Sequence, residues 1–371
     1  MNGNSFGTIF RITTWGESHG GALGVIVDGC PSGLALAPQD FAEDMARRRG
    51  GGNSFTTPRK EADLVEIESG VFEGITTGAP IALRIVSSAQ KSSDYEEFRG
   101  RPRPGHADLT AYLKHGHVDH RGGGRFSARE TAARAAAGVV AKKLLAHVGA
   151  EVTAWIDRVG PLAIEDEDQD WANSASLTDL KARRDASPLL TPARNADVLL
   201  GAAERLREAG DSWGGSLRCR VDGLPVGLGE PIFDKLPAVL AHALMSLPAA
   251  VAFEIGGGRA ASDLPGSALR DPIVATKAGP RPESNQHGGI QGGLTTGLPL
   301  YLGVSFHAPT SIPRPIQSVD LKTGEAVTLT VGGRHDAFPL PRAVPMVEAM
   351  VAIVLADALL RAGRLPENLG A

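Results

Sequence analysis

The sequence predicts an α+β fold built from two pseudo-symmetric repeats, and three observations carry that prediction. Gly16-Glu17-Ser18-His19-Gly20-Gly21-Ala22-Leu23 is echoed by Gly210-Asp211-Ser212-Trp213-Gly214-Gly215-Ser216-Leu217. The echo continues without a gap: Val27-Asp28-Gly29, Pro31, Gly33 and Leu34 correspond to Val221-Asp222-Gly223, Pro225, Gly227 and Leu228. Farther on, Gly74-Ile75-Thr76-Thr77-Gly78-Ala79-Pro80 recurs as Gly293-Leu294-Thr295-Thr296-Gly297-Leu298-Pro299, in the same order. These matches place copies of a strand–helix–strand unit near 8–90 and 200–310, within one domain spanning 1–371. The period is too long for a solenoid, so an internal pseudo-twofold is expected, with insertions such as 100–125 between the shared elements.

Taken in order, residues 8–14 and 23–27 read as strands divided by the Gly16–Gly21 turn. Pro38 then opens a helix that carries Arg47, Arg48 and Arg49 in its last turn, where cations suit the helix dipole. A glycine-rich loop at 50–54 follows, and 63–69 and 80–86 are strand-like. Residues 108–114 have helical spacing. Ser127-Ala128-Arg129-Glu130 is an S-x-x-E capping box, predicted to open the longest helix, 127–148, with an apolar stripe at Val139, Val140, Leu144, Leu145 and Val148. A strand is expected over 151–158, a solvated acidic loop over 165–170, an amphipathic helix over 196–209, a strand over 326–331 and a closing helix over 343–362.

Composition narrows the class of function. At 371 residues, 42% hydrophobic and 22% charged, the chain can bury a large core. Cys30 and Cys219 offer neither a disulfide framework nor zinc-ribbon spacing, which suits a reducing cytoplasm. No basic n-region with an apolar run begins the chain, and no uninterrupted apolar stretch approaches the ~18 residues of a membrane helix. The formal charge of −4 and pI near 6.2 argue against nucleic acid as a partner. A cytoplasmic protein acting on a small molecule is expected, with no membrane partner.

Against that acidic background, 99–134 holds seven arginines and one lysine but only Asp108, Asp119 and Glu130, a local balance of +5. Arginines flanking Gly122-Gly123-Gly124 ahead of a helix N-terminus make an anion site, because free N–H groups and the dipole point outward. Arg48, Arg103, Arg125, Arg129 and Arg334 all sit in turn-like, glycine-rich settings, where planar forks meet carboxylate or phosphate. Several forks imply a ligand with more than one anionic group. No P-loop occurs, and no G-x-G-x-x-G follows a strand and opens a helix. His19 falls where the second copy has Trp213, as expected if a histidine titrating near neutrality is needed at a single site. Gly333-Arg334-His335-Asp336 offers the parts of a proton relay.

His115-Gly116-His117-Val118-Asp119-His120 reads literally as a two-metal zinc motif. The preceding residues have helical rather than strand spacing, the later histidines lie outside ligand motifs, and neighbouring arginines disfavour a dication. No metal is expected.

Along nearly the whole chain these residues resemble chorismate synthase. The shared signatures are Gly16–Gly20, Arg47-Arg48-Arg49, Ser69–Gly74, Arg103-Pro104-Gly105-His106-Ala107-Asp108, Arg121–Arg125, Ser127–Thr131, Gly288–Gly293, Pro309-Thr310-Ser311 and Gly333–Asp336. The resemblance implies a β-α-β sandwich assembled as a homotetramer. It implies conversion of 5-enolpyruvylshikimate 3-phosphate to chorismate with loss of phosphate, using reduced FMN (FMNH2) supplied by an external flavin reductase. The substrate, with two carboxylates and a phosphate, is the multi-anion ligand that the arginines suggest.

By that resemblance His19 and His106 are the acid–base histidines and Asp336 the carboxylate near the flavin. Arg48, Arg103, Arg129 and Arg334 are substrate clamps assisted by Ser127. Arg125, Phe126, Ser127, Pro248, Ala249, Gly292, Ala308, Pro309, Thr310, Ser311, Ile312 and Arg334 match flavin-contacting stretches. Four positions depart from the common pattern: Ser54 replaces an arginine, Phe126 a serine, Pro248 an asparagine and Ala308 a lysine. Each departure removes a polar contact to substrate or flavin phosphate, while His19, His106 and Asp336 are intact.

Overall fold

The structure is a computed structural model describing residues 3–49, 63–87, 92–277, 279–332 and 336–370. β1 (Ser5–Phe6), β2 (Arg11–Gly16) and β3 (Ala22–Asp28) form an antiparallel meander. In β3, Leu23, Val25 and Val27 are fully buried, the period-two pattern of a strand with one face on a core. A 3₁₀ turn from Pro38 leads into α1 (Ala42–Arg48). β4 (Val65–Ile67), the short hairpin of β5 (Val71–Phe72) and β6 (Ile75–Thr76), and β7 (Ile81–Val86) follow. The resulting sheet has the order β1-β2-β3-β7-β4. An insertion carrying α2 (Asp108–His115) then leads to α3 (Thr131–His147).

The second half begins with β8 (Glu151–Val159) and β9 (Leu162–Ala163). Three helices, α4 (Asp166–Ser174), α5 (Leu177–Asp185) and α6 (Ala196–Glu208), separate these from β10 (Gly215–Asp222). α7 (Leu236–Met245) and β11 (Ala250–Ile255) come next. The hairpins β12 (Ile273–Thr276)–β13 (Gly279–Pro282) and β14 (Ile290–Gln291)–β15 (Leu294–Thr295) precede β16 (Leu300–Phe306). The β17 (Ile316–Val319)–β18 (Ala326–Leu329) hairpin then leads to α8 (Leu340–Arg361). This sheet has the order β9-β8-β10-β16-β11.

The pseudo-symmetry extends to single hydrogen bonds. In the first copy Thr76 Oγ1 donates to Pro31 O at 2.7 Å and accepts from Leu34 N at 2.9 Å. In the second, Thr295 Oγ1 donates to Pro225 O at 2.6 Å and accepts from Leu228 N at 2.8 Å. β3 pairs with β7 as β10 pairs with β16, and each pair is followed by an insertion and a long helix. The echoed threonines thus stitch a hairpin to the loop after the central strand, a task that any copy of this unit requires.

α3 packs on β2, β3 and β7, α8 packs on β8 and β10, and the two helices lie against each other between the sheets. Their approach is close at Gly138, where an added Cβ would stand 2.3 Å from Ala349 Cβ. Such a contact is open only to glycine. α8 is long and apolar enough to cross a membrane, at mean hydropathy 2.0, yet 83% of that window is buried within the fold. Its two inner carboxylates are fully committed. Asp357 accepts the backbone N–H groups of Thr8, Ile9 and Phe10. Glu348 pairs with Arg47 at 2.7 Å, Lys142 at 3.0 Å and Arg184 at 2.9 Å, joining both copies to the central helix. Burial alone would raise Glu348, but these cations hold it well below the usual carboxylate range.

Three expectations require correction. The longest helix is α8, at 22 residues; the 127–148 segment splits into a 3₁₀ turn over Ala128–Glu130 and the 17-residue α3. Ser127 Oγ does accept from Arg129 N at 3.3 Å, but Glu130 pairs with Arg134 at 2.9 Å, so the capping box is not reciprocal. The acidic run at 165–170 is the start of α4, not a loop. Asp166, Glu167 and Asp168 occupy its first turn, where carboxylates suit the dipole, and buried Asp168 pairs with Arg183 and Arg194.

Candidate active site

The two insertions meet. Thr310 Oγ1 donates to Gly105 O at 3.0 Å, Ser318 Oγ to Pro102 O at 2.5 Å and Leu321 N to Gly100 O at 2.8 Å. Phe98 packs with Leu329 and Val331, and with Tyr95 and Val327 at the cluster's edge. Between them opens a cavity of about 650 Å³, within the range of small-molecule sites.

The cationic lining comes mainly from the first half of the chain. Arg48 and Arg49 end α1, Arg103 begins the insertion, and Arg129 stands in the 3₁₀ turn before α3. Arg342 joins them from the first turn of α8. Among the described residues, five lining arginines face three lining carboxylates, Asp63, Asp108 and Asp336. Each carboxylate holds at least one guanidinium. Asp108 takes Arg103 through both oxygens, at 2.8 and 3.0 Å, and also its backbone N–H at 3.1 Å. Asp63 takes Arg48 at 2.8 Å and also Arg129. Asp336 takes Arg342 at 2.6 Å. Burial, with Arg342 and Arg129 nearby, pushes Arg48 below the ordinary arginine value against the pull of Asp63, although arginine stays protonated at neutral pH. The lining therefore carries positive charge that its own carboxylates do not balance.

The apolar lining comes mainly from the second half of the chain: Leu247, Pro248, Ala249, Phe306, Pro309, Leu340 and Met346. Phe126 adds a ring that is 58% exposed despite lining the cavity.

Three histidines also line the cavity: His19, His106 and His307. His19 is buried, with its ring edge-on to Tyr95 at 5.0 Å. Gly122, at φ +58°, lies so close that a Cβ there would be 2.6 Å from His19 Cδ2, which explains why the loop is glycine at that point. His106 is held neutral near pH 7: burial lowers it and Arg103 lowers it further, partly opposed by Asp108. Its Nε2 is buried and has no hydrogen-bond partner among the described residues. A polar atom in that state on a cavity wall is a group set to meet a ligand.

The cavity thus brings together His19, His106, Asp336, Arg48, Arg103, Ser127, Arg129, Phe126, Pro248, Ala249, Pro309, Thr310 and Ser311. Four expected residues are not on its wall. Arg125 turns its guanidinium to Asn4 and to the carbonyls of Thr14 and Gly16, pinning the insertion to β2. Gly292 serves the β14–β15 turn at φ +62°. Ala308 accepts from His307 Nδ1, and Ile312 closes a turn onto Thr310 O. Arg334, with the departure at Ser54 and the rest of Gly50–Ser54, lies outside the described residues, as do Gly333 and His335.

Sequence reading missed Asp63, Arg342, Tyr95 and Phe98. Only the aromatics left a signal, as a ring pair at i,i+3 just before the basic tract. Arg103 lies over both rings, at 5.8 and 5.5 Å, a cation–π geometry. In the histidine-rich segment, α2 occupies the expected helix and Asp119 is taken by Arg121 at 2.8 Å.

With this geometry in view, comparison with known proteins is decisive. The chorismate synthase family model matches residues 10–360. The chain belongs to the chorismate synthase family. It is 44% identical over 364 residues to the chorismate synthase of Methanosarcina mazei, covering 98% of both chains. It is 47% identical over 361 residues to that of Syntrophobacter fumaroxidans, covering 97% of this chain and 98% of the relative. A crystal structure of chorismate synthase superposes with a TM-score of 0.77 at 30% identity, covering 96% of this chain and 93% of the other.

Proposed function

We propose that the chain converts 5-enolpyruvylshikimate 3-phosphate to chorismate and phosphate by 1,4-elimination, with reduced FMN bound in the cavity. The observation that carries this reading is the cavity itself, lined by a surplus of arginine, by apolar side chains and by His19, His106 and His307. A substrate with three anionic groups suits the arginines, and a planar ring system suits the apolar lining. In this reading Arg48, Arg103 and Arg129, with Ser127, bind the substrate's carboxylates and phosphate, joined by Arg334. Phe126, Pro248, Ala249, Pro309, Thr310 and Ser311 would hold FMN. When bound, reduced FMN supplies electron density as phosphate leaves and recovers it afterward, so the reaction is redox-neutral.

The chain's own groups do the remaining work. Arginines fixed in advance by Asp63 and Asp108 stabilise charge on the departing phosphate without reorganising. His19 and His106 exchange protons near neutrality, and Asp336 assists removal of the C6 proton. We read the chain as one domain of two copies acting as a homotetramer. Exposed Phe72, Phe233 and Ile273 support assembly. Free, buried cysteines support a cytoplasmic location, and an external flavin reductase would supply the reduced cofactor.

Anaerobic incubation with reduced FMN and substrate tests the reading. Equimolar chorismate and phosphate are expected; release of neither at high enzyme concentration would overturn it.

A further inference from the structure

Asp63 lies just before β4, is 3% exposed and adopts φ +48°, a left-handed conformation that asparagine and aspartate tolerate best among side-chain-bearing residues. Its two oxygens serve two different arginines: Oδ2 accepts from Arg48 Nη1 at 2.8 Å and Oδ1 from Arg129 Nη1. Those arginines arrive from separate elements, the end of α1 and the turn before α3. Arg48 is seated further, with Nε donating to Thr131 Oγ1 at 3.2 Å and Nη2 to Ala128 O at 3.4 Å. Arg342 approaches the same group and donates Nε to Arg48 O at 3.1 Å. One carboxylate therefore gathers two like charges that would otherwise separate, while cancelling only one of them.

We infer that Asp63 is a positioning residue that holds Arg48 and Arg129 together as a two-fork clamp for a dianionic phosphate group. A carboxylate ligand is satisfied by one guanidinium fork, whereas a tetrahedral dianion presents enough oxygens to engage two. The inference rests on the proposed reading of the cavity as the substrate site and adds what aims its cations. A carboxylate serving only to neutralise buried charge during folding would give the same static picture, so the test must separate the two roles.

Asp63→Asn keeps the left-handed backbone and one acceptor but turns an NH2 group toward the other arginine, driving the pair apart. The expected result is at least a tenfold fall in kcat/KM for 5-enolpyruvylshikimate 3-phosphate. Calorimetric affinity of the FMN-free protein for inorganic phosphate should weaken by a similar factor. Asp63→Asn combined with Arg129→Gln should bind phosphate no more weakly than Arg129→Gln alone, because both remove the same clamp. Unchanged or tighter phosphate binding in Asp63→Asn would overturn the inference, as would losses that simply multiply in the double variant. If Asp63→Asn does not fold, Asp63→Glu carries the test with the same expected direction; failure of both to fold would assign Asp63 a purely structural role. Phosphate binding does not require turnover, so a wild-type protein that binds phosphate but makes no chorismate would overturn the proposed reaction alone.

Discussion

In the first copy the Gly-x-Ser frame ends in His19, and in the second copy it ends in Trp213. Both rings rest on a glycine: an added Cβ would stand 2.6 Å from His19 at Gly122 and 2.5 Å from Trp213 at Gly160. His19 lines the cavity, whereas the Trp213 ring packs against the core and the Trp213 backbone N–H donates to Ala337 O at 3.1 Å. The helices after the central strands differ in the same way. α1 ends in Arg47 and Arg48, while α7 runs into Met245, Leu247, Pro248 and Ala249. Two halves of one scaffold thus face a single cavity, the first lending most of the charge, the second most of the apolar surface along with His307, Asp336 and Arg342. Backbone symmetry supplies the frame, and divergence of a few side chains makes the site one-sided.

The largest expected effect breaks the charged side. His106→Ala should lower turnover by about 10²–10⁴-fold while FMN affinity, measured by fluorescence titration, changes less than threefold. Near-normal turnover would remove His106 from the chemistry.

Next is the seam between copies. Glu348→Ala should cost about 3–5 kcal/mol in denaturant unfolding, because Arg47, Lys142 and Arg184 lose their shared buried carboxylate. In the native protein the folded pKa of Glu348 is depressed, so its contribution is complete above the unfolded carboxylate value near pH ~4.3. That contribution is lost as pH falls below it. A variant whose stability varied with acid as steeply as the parent would contradict that assignment.

Exchanging the echoed residue tests the comparison from the other side. Trp213→His should cost about 2 kcal/mol, from lost packing, and leave kcat within twofold at a temperature where the variant is folded. A kcat loss beyond tenfold would place Trp213 in the site. The smallest effect is a titration. By NMR, His106 should titrate below the ordinary value of 6.5, and Arg103→Gln should move it upward by removing a cation that disfavours the imidazolium. A downward move would contradict the proposed electrostatics.

The duplicated frame was legible because Gly-Gly-x-Leu and Thr-Thr-Gly mark turns and stitches that backbone geometry demands in each copy. The strand partners β2 and β8 were harder to match, because α4–α6 separate β8 from β10 whereas a short turn joins β2 to β3. α8 begins at Leu340, three residues before the expected start, with Pro341 in its first turn, where proline fits, and Pro345 inside it. Within the site, Arg48, Arg103 and Arg129 could be named because their glycine-rich settings are local, and His106 through the family resemblance of its motif. Asp63 and Arg342 could not, since each acts through a tertiary pairing with a distant arginine or carboxylate. Arg125 was misleading for the converse reason: a basic, glycine-rich setting looks the same whether the guanidinium meets a ligand or backbone carbonyls.

The central claim is that most of the charge comes from the first half of the chain and most of the apolar surface from the second, and a crystal structure with FMN and 5-enolpyruvylshikimate 3-phosphate tests it most directly. The account predicts substrate oxygens on Arg48, Arg103 and Arg129 and the flavin ring against Pro248, Ala249 and Phe126. A substrate phosphate seated on the second half's apolar lining, away from all three arginines, would contradict it.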